Sequence, residues 1–212
     1  MSKSYISVSV IKRLPRYYRF LGDLLAKRIE RISSSDLARR MGVTASQIRQ
    51  DLNCFGGFGQ QGYGYNIAQL REKIGEILGV SEMKKTILVG AGNLGRAVAT
   101  HMDFESKGYQ LIGVFDKKPS LVGQMVGINP IRDILSLDEF CKEYKPDVAI
   151  LCIPRDQTHD IAKQLVSLGI RGFWNFTHYD LSVEYPNVQV ENVHLGDTLM
   201  TLSYNLSHRN EE

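Results

Sequence analysis

The stretch TILVGAGNLGRAVA, residues 86–99, constrains the fold more than any other part of this chain. An apolar run leads into Gly90, Ala91, Gly92, Asn93, Leu94 and Gly95, the G-x-G-x-x-G spacing of a strand that turns sharply into a helix. The first glycine permits the tight turn, the second lets the backbone approach a pyrophosphate, and the third lets the helix pack closely on the sheet. Amides at the helix N-terminus then face the phosphates. Taken alone the spacing is weak evidence, so its surroundings decide its weight.

Those surroundings agree with it. YQLIGVFD, residues 109–116, reads as a second strand ending at Asp116, twenty-one residues beyond Gly95, where a carboxylate accepts bonds from adenosine ribose hydroxyls. A carboxylate there repels a 2′-phosphate, which favours NAD(H) over NADP(H), although Lys117 and Lys118 follow it directly. A helix at 136–144, a strand at 147–153, a helix at 157–168 and a strand at 171–176 continue the alternation. The expected fold class is α/β, a Rossmann-like parallel sheet with helices on both faces. Ligands of such sheets bind beyond the carboxyl ends of the strands, here near Pro154-Arg155 and NFTHYDL, residues 175–181.

No catalytic residue is assigned. His178, Asp180 and His159 invite an acid–base reading, but only about thirty residues follow Leu181, too few to build a substrate domain. The five histidines, at 101, 159, 178, 194 and 208, show no metal-ligand spacing. Cys54, Cys141 and Cys152 are odd in number and far apart, so they suggest small buried residues rather than a disulfide framework.

What precedes the glycine turn is basic. Residues 1–85 carry 15 Lys+Arg against 7 Asp+Glu, whereas residues 86–212 carry 11 against 16. That division suits a polyanion-binding module joined to a neutral or acidic one. A first helix is expected over residues 15–31, with Pro15 in its first turn. SSSDLARRMG then offers a serine cap, Leu37 and Met41 four apart, and Gly42 as a stop. After a tight link, ASQIRQDLNCF turns Ile48, Leu52 and Phe55 one way and leaves Gln47, Arg49, Gln50 and Asn53 to point elsewhere. Two short helices joined around a glycine form a helix-turn-helix. Glutamine, arginine and asparagine make fork-shaped contacts to base edges, and Ser46 stands where a backbone phosphate binds a helix N-terminus. Double-stranded DNA is therefore the expected polyanion.

FGGFGQQGYGY, residues 55–65, is too glycine-rich for a helix and reads as a hairpin wing, with Gln60 and Gln61 at its tip and Tyr63 beside them. Ile67, Leu70, Ile74 and Leu78 continue as a fourth helix. NVQVENV near the end is strand-like, and LGDTLMTLSYNLSH carries Leu195, Leu199, Leu202 and Leu206 as an apolar stripe that must pack against its own core or a partner. Helix-turn-helix modules usually read two half-sites as symmetric dimers, which favours the partner and a homodimer. No apolar run approaches the roughly eighteen residues of a membrane span, and the N-terminus lacks a secretory signal, so a cytoplasmic location is expected. The expected domains are residues 1–83, a winged-helix DNA-binding domain; 84–193, a NAD(H)-binding domain; and 194–212, a dimerisation helix and tail. The alternative is a small NAD(H)-dependent oxidoreductase, or a dinucleotide-binding adaptor, with a basic appendage.

Several segments, in this order, make the chain resemble the Rex family of bacterial redox-sensing transcriptional repressors: IRQDLNCFGGFGQQGYGY at 48–65, VGAGNLGRAVA at 89–99, GVFDKKPSLVGQMVGINPI at 113–131 and GIRGFWNFTHYDL at 169–181. The resemblance runs from about Pro15 to Tyr204. It implies a homodimer whose C-terminal helix is exchanged between subunits, bound to palindromic operators when NAD+ predominates and released by NADH. Carried over by position, Arg49 and its neighbours read DNA, Gly90, Gly92 and Gly95 hold the pyrophosphate, Asp116 holds the ribose, and the nicotinamide approaches Pro154 and Phe176.

The chain also departs from the family pattern. The usual RKDLS reads RQDLN here, an acidic residue of the wing is Gly57, a basic one is Gln61, and the usual NFAP reads Asn175-Phe176-Thr177-His178. Where many relatives have a tyrosine after the glycine loop this chain has His101, and where they have an aspartate before the exchanged helix it has His194. With His178 these form the expected redox-coupling set. Imidazole in place of an acceptor-only carboxylate implies an NADH response that is weakened or rewired, and dependent on pH between about 6 and 7.

Overall fold

The computed structural model describes residues 6–56, 59–60 and 63–208, and it divides into two compact units with the boundary between Ser81 and Glu82. In the first unit, α1 (Val8–Ala26) is capped by Ser7, whose Oγ accepts from the Val10 amide. The helix thus begins a full two turns before Pro15 and places that residue in its interior, contrary to the expected start. The apolar spacing explains the difference, because Val10, Leu14, Tyr17, Leu21 and Leu24 are all buried on one face and their packing overrides the proline. The expected end at residue 31 also moves. Arg28 adopts φ 58° and the chain enters β1 (Arg31–Ile32).

Two short helices follow, α2 (Ser34–Met41) and α3 (Ala45–Asn53). Ser33 and Thr44 cap them through their side-chain oxygens, and Gly42 in the left-handed region makes the turn between them. Strands β2 (Gly59–Gln60) and β3 (Gly64–Asn66) pair antiparallel as the expected wing, and β1 joins them as a third strand the sequence did not suggest. Gln61 lies outside the described residues, as do Gly57, Phe58, Gly62 and the side chain of Gln60. Helix α4 (Ile67–Leu78), capped by Asn66, closes a core built from Leu14, Tyr17, Leu21, Ile48, Leu52, Ile67 and Ile74.

The second unit is an α/β sheet. Its elements are β4 (Lys84–Val89), α5 (Asn93–His101), β5 (Tyr109–Asp116), β6 (Met125–Val126), β7 (Asn129–Asp133), α6 (Leu137–Tyr144), β8 (Val148–Leu151), α7 (Arg155–Ser167), β9 (Gly172–Asn175), α8 (Leu181–Glu184), β10 (Gln189–Asn192) and α9 (Leu195–Ser207). The strand order is β10-β9-β8-β4-β5-β7-β6, parallel throughout except for the β6–β7 hairpin. That hairpin and α8 carry no periodicity long enough to read from sequence. Side chains alternate across the sheet: Ile87, Val89, Phe115, Ala149 and Leu151 pack with α6 and α7 on one face, while Leu88, Val114 and Ile150 pack with the α5 side on the other.

On the α5 side the cover is partial. Met102, Phe104, Tyr109, Ile150, Trp174 and Val190 line a hollow of about 410 Å3, to whose wall α9 contributes nothing. Every described side chain of α9 is exposed, including Leu195, Leu199, Met200, Leu202, Tyr204 and Leu206 at 52–65%. Among the described residues, no helix is long and apolar enough to cross a membrane.

Candidate functional site: a nucleotide crevice and a helix-turn-helix face

The crevice lies beyond the carboxyl ends of β4, β5 and β8, where Val89, Gly90, Gly92, Asp116, Lys117, Cys152 and Pro154 line a cleft of about 400 Å3. Its shape follows from three glycines with distinct demands. Gly90 has φ 101°, and a Cβ there would lie 2.4 Å from the Cys152 carbonyl oxygen. A Cβ on Gly95 would lie 1.8 Å from the Gly90 carbonyl oxygen, so α5 sits as close to the turn as backbone permits. A Cβ on Gly92 would meet nothing within 4 Å; this glycine faces the open cleft. Two glycines therefore serve packing, and the third leaves room for a ligand.

Asp116 is held in place before any ligand arrives. One carboxylate oxygen accepts from the Ala91 amide at 2.6 Å and the other from the Lys118 amide at 2.8 Å. Each oxygen keeps a lone pair for a hydroxyl. Asn93 and Leu94 are exposed in the first turn of α5, while Ala91 is buried and contributes through its backbone. The sequence did not single out Ile134, Ile153, Ile161, Asp156, Gln157 and Asp160, which complete the cleft wall. Cys152 on this wall is chemically quiet, its thiol pushed up to about 12 by burial.

Phe176 stands apart from the cleft wall. It is half-buried against Trp174, ring centroids 4.7 Å apart, in the core on the α5 side of the sheet, and it does not line the cleft. Of the three histidines, His178 and His194 come together with ring centroids 5.6 Å apart, and His194 Nδ1 lies 3.5 Å from Asp197 Oδ2. His101, exposed at the end of α5, is not part of that pair. Among the described residues no group of three His, Cys, Asp or Glu could hold a metal. Of the cysteines, Cys141 is buried, but Cys54 is exposed, contrary to expectation, because it falls just past the end of α3.

On the first unit, Ser46, Arg49, Gln50 and Asn53 are exposed on α3, and Tyr63 is 70% exposed beside the wing. Arg49 Nη1 donates to Ser34 Oγ at 3.1 Å, which holds the guanidinium over the start of α2. Gln47 is turned inward instead: its amide donates to the buried carboxylate of Asp51 at 2.8 Å. Sequence offered no sign of this, because the other partners of Asp51, Arg13 and Tyr17, lie more than thirty residues away on α1.

A Rossmann-type crevice in one unit and a helix-turn-helix with a wing in the other define the class of ligand-responsive DNA-binding regulators. Comparison with known proteins agrees. Residues 5–53 match the family model "Putative DNA-binding protein N-terminus" and residues 81–179 match "CoA binding domain". The redox-sensing transcriptional repressor Rex of Clostridium perfringens (strain SM101 / Type A) is 47% identical over 206 residues, 97% of each chain. That of Thermoanaerobacter sp. (strain X514) is 50% identical over 205 residues, 97% of this chain and 91% of its own. The crystal structure of RSP with β-NAD+ and operator DNA superposes with a TM-score of 0.89 at 48% identity, over 97% of this chain and 94% of RSP. RSP with β-NADH gives 0.87 at 45% identity, over 97% and 96%. The chain belongs to the Rex family of redox-sensing transcriptional repressors. It is a regulator and not an enzyme.

Proposed function

We propose that this chain is a cytoplasmic homodimeric repressor that binds a palindromic operator through α3 and the wing and leaves it when NADH occupies the crevice. The observation that carries the reading is the held carboxylate of Asp116 beside the open face of Gly92, a ribose acceptor next to a pyrophosphate seat, in a chain whose other unit is a helix-turn-helix. RSP, crystallised with β-NADH and with β-NAD+ and operator DNA, supports it by likeness. Residues 1–83 serve DNA, 84–193 serve the nucleotide, and 194–212 serve dimerisation.

In this reading Gly90, Ala91, Gly92, Asn93, Leu94 and Gly95 receive the pyrophosphate, Asp116 and Lys117 the adenosine side, and Pro154 the approach to the nicotinamide. Ser46, Arg49, Gln50 and Asn53 face the major groove, with Gln60 and Tyr63 at the wing; Gln61, expected beside them, lies outside the described residues. Two subunits join through the sheet unit and α9, whose leucines suit the hollow on the α5 side of the other copy. A ligand shifts DNA affinity only by favouring one dimer arrangement over another. NADH and NAD+ differ by a hydride and a ring charge, so the difference is felt near the nicotinamide, where His178 and His194, with His101, stand in for the family's usual residues.

The test is Arg49→Ala. A lost arginine fork to a base, at about 1–3 kcal/mol, weakens operator binding roughly ten- to hundredfold, while NADH binding is unchanged. Gel shift and NADH fluorescence read the two separately, and a parallel loss of both would refute the assignment of the two units.

A further inference from the structure

Asp51 is the most heavily engaged side chain of α3. Its carboxylate, 1% exposed, accepts four bonds: from Arg13 Nε and Tyr17 Oη onto Oδ2, both at 2.7 Å, and from Arg13 Nη2 at 2.7 Å and Gln47 Nε2 at 2.8 Å onto Oδ1. Arg13 and Tyr17 belong to α1, and Gln47 lies one turn earlier on α3 itself. Burial pushes the carboxyl up, but the bonds from Arg13, Tyr17 and Gln47 outweigh it and hold Asp51 below the ordinary carboxylate range, so it is charged at neutral pH.

A buried ion pair is a poor way to add stability, since desolvation offsets much of the attraction. What it adds is direction. Ile48 and Leu52 attach α3 to the core by apolar contact, which is indifferent to small rotations. A planar guanidinium gripping both carboxylate oxygens fixes two atoms, and so fixes the rotation of α3 about its axis as well as its distance from α1. Rotation of α3 is what would swing Arg49, Gln50 and Asn53 towards or away from base edges.

We infer that Arg13, Tyr17 and Gln47 are positioning residues for operator recognition: they clamp Asp51 and thereby set the angle at which α3 presents Arg49, Gln50 and Asn53. Gln47 then reads no base. The inference rests on α3 being the operator-reading helix, as proposed above.

The experiment uses the full chain and a palindromic duplex selected from a random pool by the parent protein. Affinity is measured for that duplex, for every single-base-pair variant and for unrelated DNA, at several salt concentrations, with thermal unfolding alongside. Gln47→Ala removes one clamp bond and leaves the ion pair; Arg13→Lys keeps the charge and loses the fork. Each is expected to weaken operator binding about three- to tenfold, less than the full worth of a bond to a charged group, because the remaining bonds to Asp51 still hold α3. Base preference should flatten at all the positions α3 reads together. Binding to unrelated DNA and the salt slope should stay as in the parent, because no phosphate contact is lost.

A merely structural role would move thermal stability and leave base preference alone, and that result overturns the inference. Loss of preference at a single base pair in Gln47→Ala also overturns it, by making Gln47 a base reader. So does full operator affinity in both variants when Arg49→Ala has lost it. If Arg49→Ala itself binds like the parent, the assignment of α3 is wrong, and the inference falls with it for that separate and visible reason.

Discussion

Gly95→Ala will strip the α/β unit of nucleotide binding and lower its stability by several kcal/mol. The added methyl would lie 1.8 Å from the Gly90 carbonyl oxygen and 3.0 Å from its carbon, both backbone atoms that no rotamer change can move aside. Either α5 must retreat from β4 or the turn at Gly90 must open. That turn cannot yield easily, because Gly90 already sits at φ 101° with the Cys152 carbonyl oxygen behind it. Overpacking of this kind costs about 1–3 kcal/mol where neighbours can shift and more where they cannot. A displaced α5 N-terminus would also break the alignment of the Ala91 amide with Asp116. NADH affinity is expected to fall by about a hundredfold or more, which corresponds to roughly 2.7 kcal/mol.

Gly92→Ala is the companion that separates packing from ligand room. Its Cβ has free space and its backbone, φ −70° and ψ −168°, is open to any residue, so unfolding should be nearly unchanged while the methyl intrudes on the cleft. Fluorescence titration with NADH, together with thermal unfolding, decides both cases. A Gly95→Ala protein that melts and binds NADH like the parent would remove the steric basis of the crevice.

The second large effect is expected from a chain ending at His194, without α9. Leu195, Leu199, Met200, Leu202, Tyr204 and Leu206 are all more than half exposed, and full burial of a large apolar side chain is worth about 1.5–3 kcal/mol. Six of them on thirteen residues form a surface that a monomer would leave in water. The hollow bordered by Met102, Phe104 and Trp174 offers matching apolar area. Removing α9 should therefore give a monomer by analytical ultracentrifugation and weaken binding to a palindrome by more than about a hundredfold, because the second half-site is no longer engaged by a tethered partner. NADH binding should survive, since no α9 residue lines the crevice. A truncated chain that stays dimeric and grips the operator undiminished would contradict the role given to this helix.

Where local sterics dictate sequence, the fold was legible in advance. The G-x-G-x-x-G turn could be read because the Gly90 and Gly95 positions tolerate no side chain, α2 because a serine cap and Gly42 mark its ends, and α3 because Ile48 and Leu52 recur at helical spacing. Long-range packing was not legible. Pro15 suggested a helix start, but the buried stripe from Val10 to Leu24 carried the helix through it. The β6–β7 hairpin was missed because its two short strands show no alternation to detect.

The site divides along the same line. Asp116 was found from its distance to Gly95, a spacing set by one strand–helix–strand unit. Gln47 was assigned to DNA because its helical position faces away from Ile48, and nothing nearby in sequence announces that Arg13 and Tyr17 bring a buried carboxylate within its reach. Phe176 follows a strand end as expected, yet the alternation of β9 turns it with Trp174 to the far side of the sheet. The His178–His194 contact is equally a product of the fold, joining the loop after β9 to the start of α9.

The central claim is that the nicotinamide redox state, felt in the second unit, governs the grip of the first on DNA. Its most direct test is operator affinity measured against rising NADH at fixed NAD+, at pH values either side of neutrality. The account predicts operator binding that weakens steadily as NADH rises. An operator affinity indifferent to NADH at every pH would contradict it.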